Sequence, residues 1–254
     1  MISLKNFQNA HKGETCYVFG DGPSIKHFDL SRFDDHIGIS CGSLILHKDF
    51  NKLNVKYYTI PEPWLFCNKI FQRHKYLHDV KHLTNLLKNK MIINKQIDFF
   101  INLSNFGSLH DSNIYYIHRY LTKFSYLFSK FKNIDPFQGS FYSSLSLAYL
   151  MGFSKIHIVG HDAWTIRQTS SQRWYEFGEG VTSKLLSFKK DKYIEQLEKE
   201  IDISSIIIDK NSMNCKSHTY KEFTGLKPSY QENNELTSLD NLKVFDTYPE
   251  FKVF

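Results

Sequence analysis

The sequence predicts an α/β fold: a mostly parallel sheet with helices on both faces and a lid segment. Three observations predict it. Short apolar runs alternate with helical stretches along most of the chain. Three successive strand candidates end in small or polar residues at their carboxyl edge, where open α/β sheets bind ligands. And the stretch from Gln138 to Trp164 reads as a complete helix-to-strand crossover of a parallel sheet. Together these define a Rossmann-like arrangement, and 254 residues suffice for one such domain with a modest insertion.

The first strand is the apolar run Cys16 to Phe19, broken by Gly20, Asp21, Gly22, Pro23 and Ser24. The two glycines allow either positive φ or the close approach of something bulky. Pro23 and Ser24 suit the opening of a short helix, so strand, turn and helix start place backbone donors where a phosphate or a sugar hydroxyl could sit. The turn lacks the third small residue of the dinucleotide fingerprint, because position 25 is Ile, and it lacks the Gly-Lys-Ser/Thr of a Walker loop. His36 to Ser40 is the second strand, ending in Cys41, Gly42 and Ser43. Asn54 to Ile60, including Thr59, is the third, stopped by Pro61, Glu62 and Pro63. Trp64 to about Lys90 has helical spacing. Gln96 to Ser104 and Ile114 to Tyr120 are strand candidates around a polar loop.

In the crossover unit, Gln138, Gly139 and Ser140 precede a small-residue helix with Leu145, Ala148 and Met151 at helical spacing. Gly152 ends it as a C′ glycine does. Lys155 to Gly160 is a buried strand carrying His161, Asp162 and Trp164 at its carboxyl end. Thr165 to Leu186 is a polar segment with Arg167, Arg173, Trp174 and Glu176, long enough to be a lid or binding loop. Lys189 to Asp202 is a charged helix and Ser204 to Asp209 the last strand, followed by Lys210, Asn211 and Ser212. The domain is therefore placed at 1–219, with the lid at about 165–188. Residues 220–254 form a C-terminal extension to which no structure is assigned.

The net charge of +6 is spread rather than gathered, which suits anionic substrates or a membrane surface, and no recognition helix or aromatic RNA-binding signature favours nucleic acid. The four cysteines show no metal or redox spacing and read as buried thiols of a reducing compartment. No signal peptide and no bilayer-length apolar run is present, so a cytoplasmic location, with peripheral attachment at the inner membrane left open, is the expectation. The 22 Phe and 15 Tyr point either to coding bias or to exposed aromatic surface.

The Gly20 to Ser24 turn, the Ser-headed helix ending in Gly152, the Lys155 to Asp162 strand and the final strand leading to Asn211 and Ser212 together resemble the bacterial sialyltransferases of glycosyltransferase family 42. They are also similar to the motility-accessory-factor glycosyltransferases. The likeness spans roughly residues 14–212. It implies a GT-A-like variant of the Rossmann fold, a CMP-activated nonulosonic acid donor and inverting transfer to a surface glycan such as lipooligosaccharide or capsule. It also implies no metal and no cofactor beyond the donor. The expected partners are that nucleotide sugar and a glycan or glycolipid acceptor; a homo-oligomer is left open.

Position by position, the resemblance implies that Gly20, Asp21, Gly22, Pro23 and Ser24 cradle phosphate and ribose, with Ser40, Gly42 and Thr59 lining the same pocket. Ser140 would contact the donor, Asp162 would lie near the cytidine or the lid, and Trp164 stands where the family has a phosphate-binding Tyr. Asp21, Gly42 and Thr59 each stand where the family has Asn. The family's lid His is missing between Trp164 and Lys189, which leaves His161, His218, Glu176 and Glu179 as candidates for the base that the acceptor hydroxyl needs.

Bland alternatives stand beside these. His161 reads equally as a core histidine bonded to a carbonyl, Asp162 as a turn cap, and the His74, His78 and His82 face as solvated rather than metal-binding. No D-x-D metal motif occurs. Two other functions fit less well: a pterin-pyrophosphokinase-like phosphotransferase using ATP and Mg, and a non-catalytic nucleotide-sugar binding protein.

Overall fold

Eight strands form one sheet: β1 (Thr15–Phe19), β2 (Ile37–Cys41), β3 (Val55–Ile60), β4 (Asp98–Asn102), β5 (Ile114–Ile117), β6 (Lys155–Val159), β7 (Asp202–Ile207) and β8 (Lys216–Thr219). They belong to a computed structural model that describes residues 4–63, 65–66, 77–117, 139–162, 174, 192–208 and 215–231. The spatial order is β5-β4-β3-β2-β1-β6-β7-β8, and every pairing is parallel. The chain leaves β1 toward β5 and later returns to the other side of β1 through β6, so the strand order reverses between β1 and β6. A parallel sheet must be covered on both faces, which is why its strands read as near-continuous apolar runs.

The two faces carry separate cores. Tyr17, Phe19, Val55, Tyr58, Phe99, Ile101, Val159 and Ile206 point to one side, under short 3-10 turns, α1 (Leu77–Ile93) and α4 (Tyr220–Thr224). Val18, Ile39, Tyr57, Phe100, Ile156, Ile158 and Ile203 point to the other, under α2 (Gly139–Met151) and α3 (Lys192–Leu197). The aromatic-rich composition is explained here: Tyr17, Tyr58, Tyr193, Tyr220, Phe19, Phe28, Phe33, Phe99 and Phe100 are fully buried. Buried phenols reach polar partners, as they must. Tyr17 donates to Asp35 at 2.8 Å, and Tyr58 donates to the Gly42 carbonyl at 2.8 Å.

α2 is what orients the crossover. Gly152, with φ +82°, ends it in the left-handed conformation that the sequence predicts. The orphan carbonyls of its last turn are met by the N-terminal segment: Asn9 N donates to Leu150 O, His11 N to Met151 O and Gly13 N to Gly152 O, at 3.0, 2.8 and 2.9 Å. Its first turn therefore lies at the opposite end, over the carboxyl ends of the strands, where Ser144 Oγ and Thr59 Oγ1 are 2.8 Å apart.

Several expected boundaries shift. The helix over Trp64 to Lys90 is described only as Leu77–Ile93, the strand over Gln96 to Ser104 shortens to β4, and Ser204 to Asp209 becomes β7, which begins at Asp202. β8 is not expected from the sequence at all. Its Lys216, Ser217, His218 and Thr219 alternate no apolar residue, and half-buried edge strands need little apolar content.

The boundary set after Thr219 falls inside a capping box rather than at a break in packing. Thr219 accepts from Glu222 N while Glu222 accepts from Thr219 N. Tyr220 stacks on Phe28 with ring centroids 4.6 Å apart and takes the Asp29 amide on its hydroxyl. Beyond it, Ser229 N and Gln231 N donate to the His27 and Lys26 carbonyls. Tyr220→Ala should therefore lower unfolding free energy in urea titration by about 3–5 kcal/mol, the range of a large buried aromatic. A loss under about 1 kcal/mol would mean that residues 220–231 merely drape over the domain.

Candidate functional site

The carboxyl ends of β1 and β6 meet in an extended lock. Gly20 N donates to Val159 O at 2.8 Å and Gly22 N to Gly160 O at 2.7 Å, which carries the parallel pairing past the strands. Pro23 opens the 3-10 turn Pro23–His27 and has no N–H. Ser24 N is thus its first free donor, and Gly22 at the N-cap has no side chain to take it. Asp162 takes it instead, from across the sheet, Oδ2 to Ser24 N being 2.8 Å. The glycines follow from this closeness rather than from positive φ. A Cβ on Gly22 would lie 2.2 Å from Asp162 Oδ2, and one on Gly20 would lie 2.5 Å from Gly160 O.

The amides of Gly20, Gly22 and Ser24 are all given to β6 and its loop. Asp162 caps the turn after β1. Burial raises its carboxyl above the ordinary aspartate range, and the Ser24 amide partly opposes that.

Beside this lock, Asp21 Oδ2 accepts from Ser43 N at 2.9 Å and Ser43 Oγ at 3.0 Å. Gly42, at φ +68°, lets the β2 turn close on it: a Cβ there would meet Asp21 Oδ2 at 2.3 Å. Trp174 is the one described residue between 163 and 191. It is fully buried against this turn, its amide donating to Asp21 O at 3.2 Å and its indole N–H to Ser43 Oγ at 3.0 Å. The His47 ring stands edge-on to it at 4.8 Å.

His161 is packed on Phe141 with centroids 4.7 Å apart, its Nε2 3.9 Å from Cys41 Sγ. Burial pushes its pKa down to about 4, opposed by the Asp21 carboxylate and a hydrogen bond with the Phe19 carbonyl. The core-histidine alternative thus describes its surroundings. Ser40 and Thr59 are buried beneath the crevice, Thr59 paired with Ser144 on α2. Cys16, Cys41 and Cys215 are buried thiols; Cys67 lies outside the described residues.

At the crevice mouth, Ser140 in the first turn of α2 donates its hydroxyl to Glu62 Oε1 at 2.7 Å. Sequence reasoning passes over Glu62 as part of a strand stop. Its backbone is unusually determined. Asn102 Nδ2 donates to Pro61 O at 2.9 Å and Asn105 Nδ2 to Glu62 O at 3.1 Å, while fully buried Asn105 also takes the Phe66 amide at 2.8 Å. The available signal was a polar residue between two prolines, followed by paired asparagines after β4.

The structure thus brings together Gly20 to Ser24, Ser40, Gly42, Thr59, Ser140, His161 and Asp162. It does not bring His218 there. That residue is on β8 at the register of Ile206, beside Phe223, three strand spacings or roughly 14 Å from β1. Trp164, Glu176, Glu179, Arg167, Arg173, Asn211, Ser212 and the rest of the 165–188 lid except Trp174 lie outside the described residues, as does His74; of His78 and His82 only the backbone is described. Among the described residues no three His, Cys, Asp or Glu side chains gather as a metal site, and no helix is long and apolar enough to cross a membrane.

Fold and crevice together define an α/β domain with its polar groups gathered at a topological switch point. No family model and no curated protein matches the chain. Among solved structures, it is similar to the sialyltransferase CstII from Campylobacter jejuni in complex with cytidine-5'-monophosphate, at 18% identity over 92% of this chain and 99% of that one, with a TM-score of 0.41. The complex of CstII with CMP-3FNeuAc matches at 16% identity over 92% and 99%, with a TM-score of 0.45.

Two predictions follow from the geometry. Gly22→Ala should destabilise the protein by at least about 2 kcal/mol in urea titration, because Gly160 O is backbone and cannot swing aside; an unchanged midpoint would contradict the lock. The second concerns pH. His47, His157 and His161 are all held near 4 from an ordinary 6.5, chiefly by burial, with the cations of Lys48 and Lys52 adding at His47 and that of Lys155 at His157. Above pH 6.5 folded and unfolded states are equally neutral. As pH falls toward 4 the unfolded chain takes up protons that the folded one refuses, so stability drops by about 2 kcal/mol per histidine at pH 5. Asp162, raised by burial, works in the opposite sense as a single group. Three histidines at about 6 kcal/mol rival the whole stability of a domain, so thermal melts should fall steeply between pH 6.5 and 4.5, and a flat profile would refute this.

Proposed function

We propose that the protein is a glycosyltransferase that uses a CMP-activated nonulosonic acid as donor, inverts the anomeric centre and needs no metal. One observation carries the reading. The motif at Gly20 to Ser24 and the motif at Gly160 to Asp162, more than a hundred residues apart in sequence, are bonded to each other at the switch point, and Phe141, next to Ser140, packs on His161. Crevices at such points are where mononucleotides bind in open α/β sheets.

The chemistry suits the elements present. Both the donor phosphate and the sugar carboxylate are anionic, and α2 points its positive end at the crevice, with the Ser140 hydroxyl in its first turn. Negative charge grows on the departing phosphate, and fixed dipoles there stabilise it without reorganising. A surface glycan is the proposed acceptor.

A thermal-shift panel of CMP, CDP, UDP, GDP and ATP, with and without Mg²⁺, tests the reading. CMP or CDP should stabilise most, by roughly 5–10 °C at a hundredfold excess over Kd, with Mg²⁺ making no difference. Greater stabilisation by ATP with Mg²⁺ would replace this reading with phosphotransfer.

A further inference from the structure

We propose that Trp174 is a positioning residue for the nucleotide: acting through Ser43 and Asp21, it fixes the turn after β1 against the turn after β2, so that the crevice is shaped before its ligand arrives. This role rests on the reading above, in which a CMP sugar occupies the crevice.

The turn after β1 is gripped from two sides. Toward β6 it is held through backbone amides, those of Gly20, Gly22 and Ser24 going to Val159 O, Gly160 O and Asp162 Oδ2. Toward β2, the stretch Gly20-Asp21-Gly22 has one side chain to offer, that of Asp21, between two residues that by themselves leave a backbone loose. Asp21 Oδ2 takes both the amide and the hydroxyl of Ser43, at 2.9 and 3.0 Å, and Asp21 O takes the Trp174 amide at 3.2 Å. Trp174 touches both turns at once, because its indole N–H goes to Ser43 Oγ at 3.0 Å.

Burying a large ring edge-on to His47 accounts for an aromatic residue here, but not for an indole. A buried indole N–H needs an acceptor, and a backbone carbonyl would serve. This one is given instead to a hydroxyl already committed to Asp21. A serine hydroxyl has one proton and two lone pairs. With a lone pair occupied by the incoming indole N–H, its proton is directed to Asp21 Oδ2. Trp174 Nε1, Ser43 Oγ and Asp21 Oδ2 thus form a chain of two hydrogen bonds running one way, and such chains polarise and strengthen their members. Phenylalanine would fill the space and leave the chain without its first donor.

The turn that carries Ser43 is itself fixed to the sheet. Fully buried Tyr58, on β3, donates its phenol to Gly42 O at 2.8 Å and takes Ile45 N at 3.4 Å. Asp21 is therefore referred through Ser43 to a rigid support, and Trp174 closes the junction. Walls that must be ordered by the ligand subtract that cost from its affinity, whereas walls ordered on folding do not.

Trp174→Phe keeps a ring in the core and removes the N–H; Ser43→Ala removes the relay and keeps the indole. CMP affinity of wild type, both single variants and the double variant is measured by calorimetry, beside urea unfolding of each. In both single variants CMP affinity should fall at least about fivefold, the effect of about one lost hydrogen bond. The double variant should lie within about twofold of the weaker single one, because both changes cut the same chain. A loss under about fivefold in either single variant, however much stability falls, assigns Trp174 to packing and overturns the proposal, and a double variant weaker than that twofold limit does the same. Should Trp174→Phe fail to fold, Ser43→Ala decides by the same fivefold limit of about one hydrogen bond. Wild-type protein that binds no CMP overturns the underlying reading and this role with it.

Discussion

Asp162 reaches across the reversal of strand order to hold Ser24 N at 2.8 Å, and most of the crevice is arranged around that contact. A carboxyl group in so buried a position is costly unless a donor meets it, and the turn that meets it opens with a proline that has no amide. The turn must therefore bring its second amide to Asp162, and it can do so only if nothing projects from Gly22. That hydrogen bond accounts for Gly22, while Gly20 answers to the closeness of Gly160 O and the His161 ring.

The same logic separates what was legible in the sequence from what was not. The apolar runs of β1, β2, β3 and β6 were readable because strands covered on both faces have nowhere to place a polar residue. Gly152 was readable because a left-handed residue at a helix end leaves a glycine behind. That Gly20, Ser140 and Asp162 share an edge followed from strand ends in a parallel sheet pointing one way. β8 was not readable, since an edge strand of Lys, Ser, His and Thr carries no apolar alternation. Nor was the purpose of the glycines: close approach and positive φ leave the same letter in a sequence, and only the distance to Asp162 separates them. The roles of Asp21 and Asp162 as internal acceptors depended on contacts 22 and 138 residues away, which no local pattern encodes.

His161 shows how one residue can satisfy a motif and a packing demand at once. It follows a strand that ends at the crevice, where a base would be wanted. Yet its ring lies on Phe141 beside Cys41, and burial holds it neutral far below the pH at which an ordinary histidine titrates. A group so placed contributes to the acid sensitivity of the fold together with His47 and His157. Its ring is bonded inward, to the Phe19 carbonyl.

The loop that carries Glu62 is held from beneath by Asn102 and Asn105. Surface carboxylates are abundant, and exposure alone singles out none of them. Two prolines and two asparagine amides restrict the backbone here to a single path, which removes the conformational freedom that an exposed loop would otherwise keep. Freezing three residues costs free energy of order several kcal/mol, and the buried Asn105 that helps to freeze them must itself be fully bonded to be tolerated. The Glu62 side chain meets the Ser140 hydroxyl, which ties the loop after β3 to the first turn of α2.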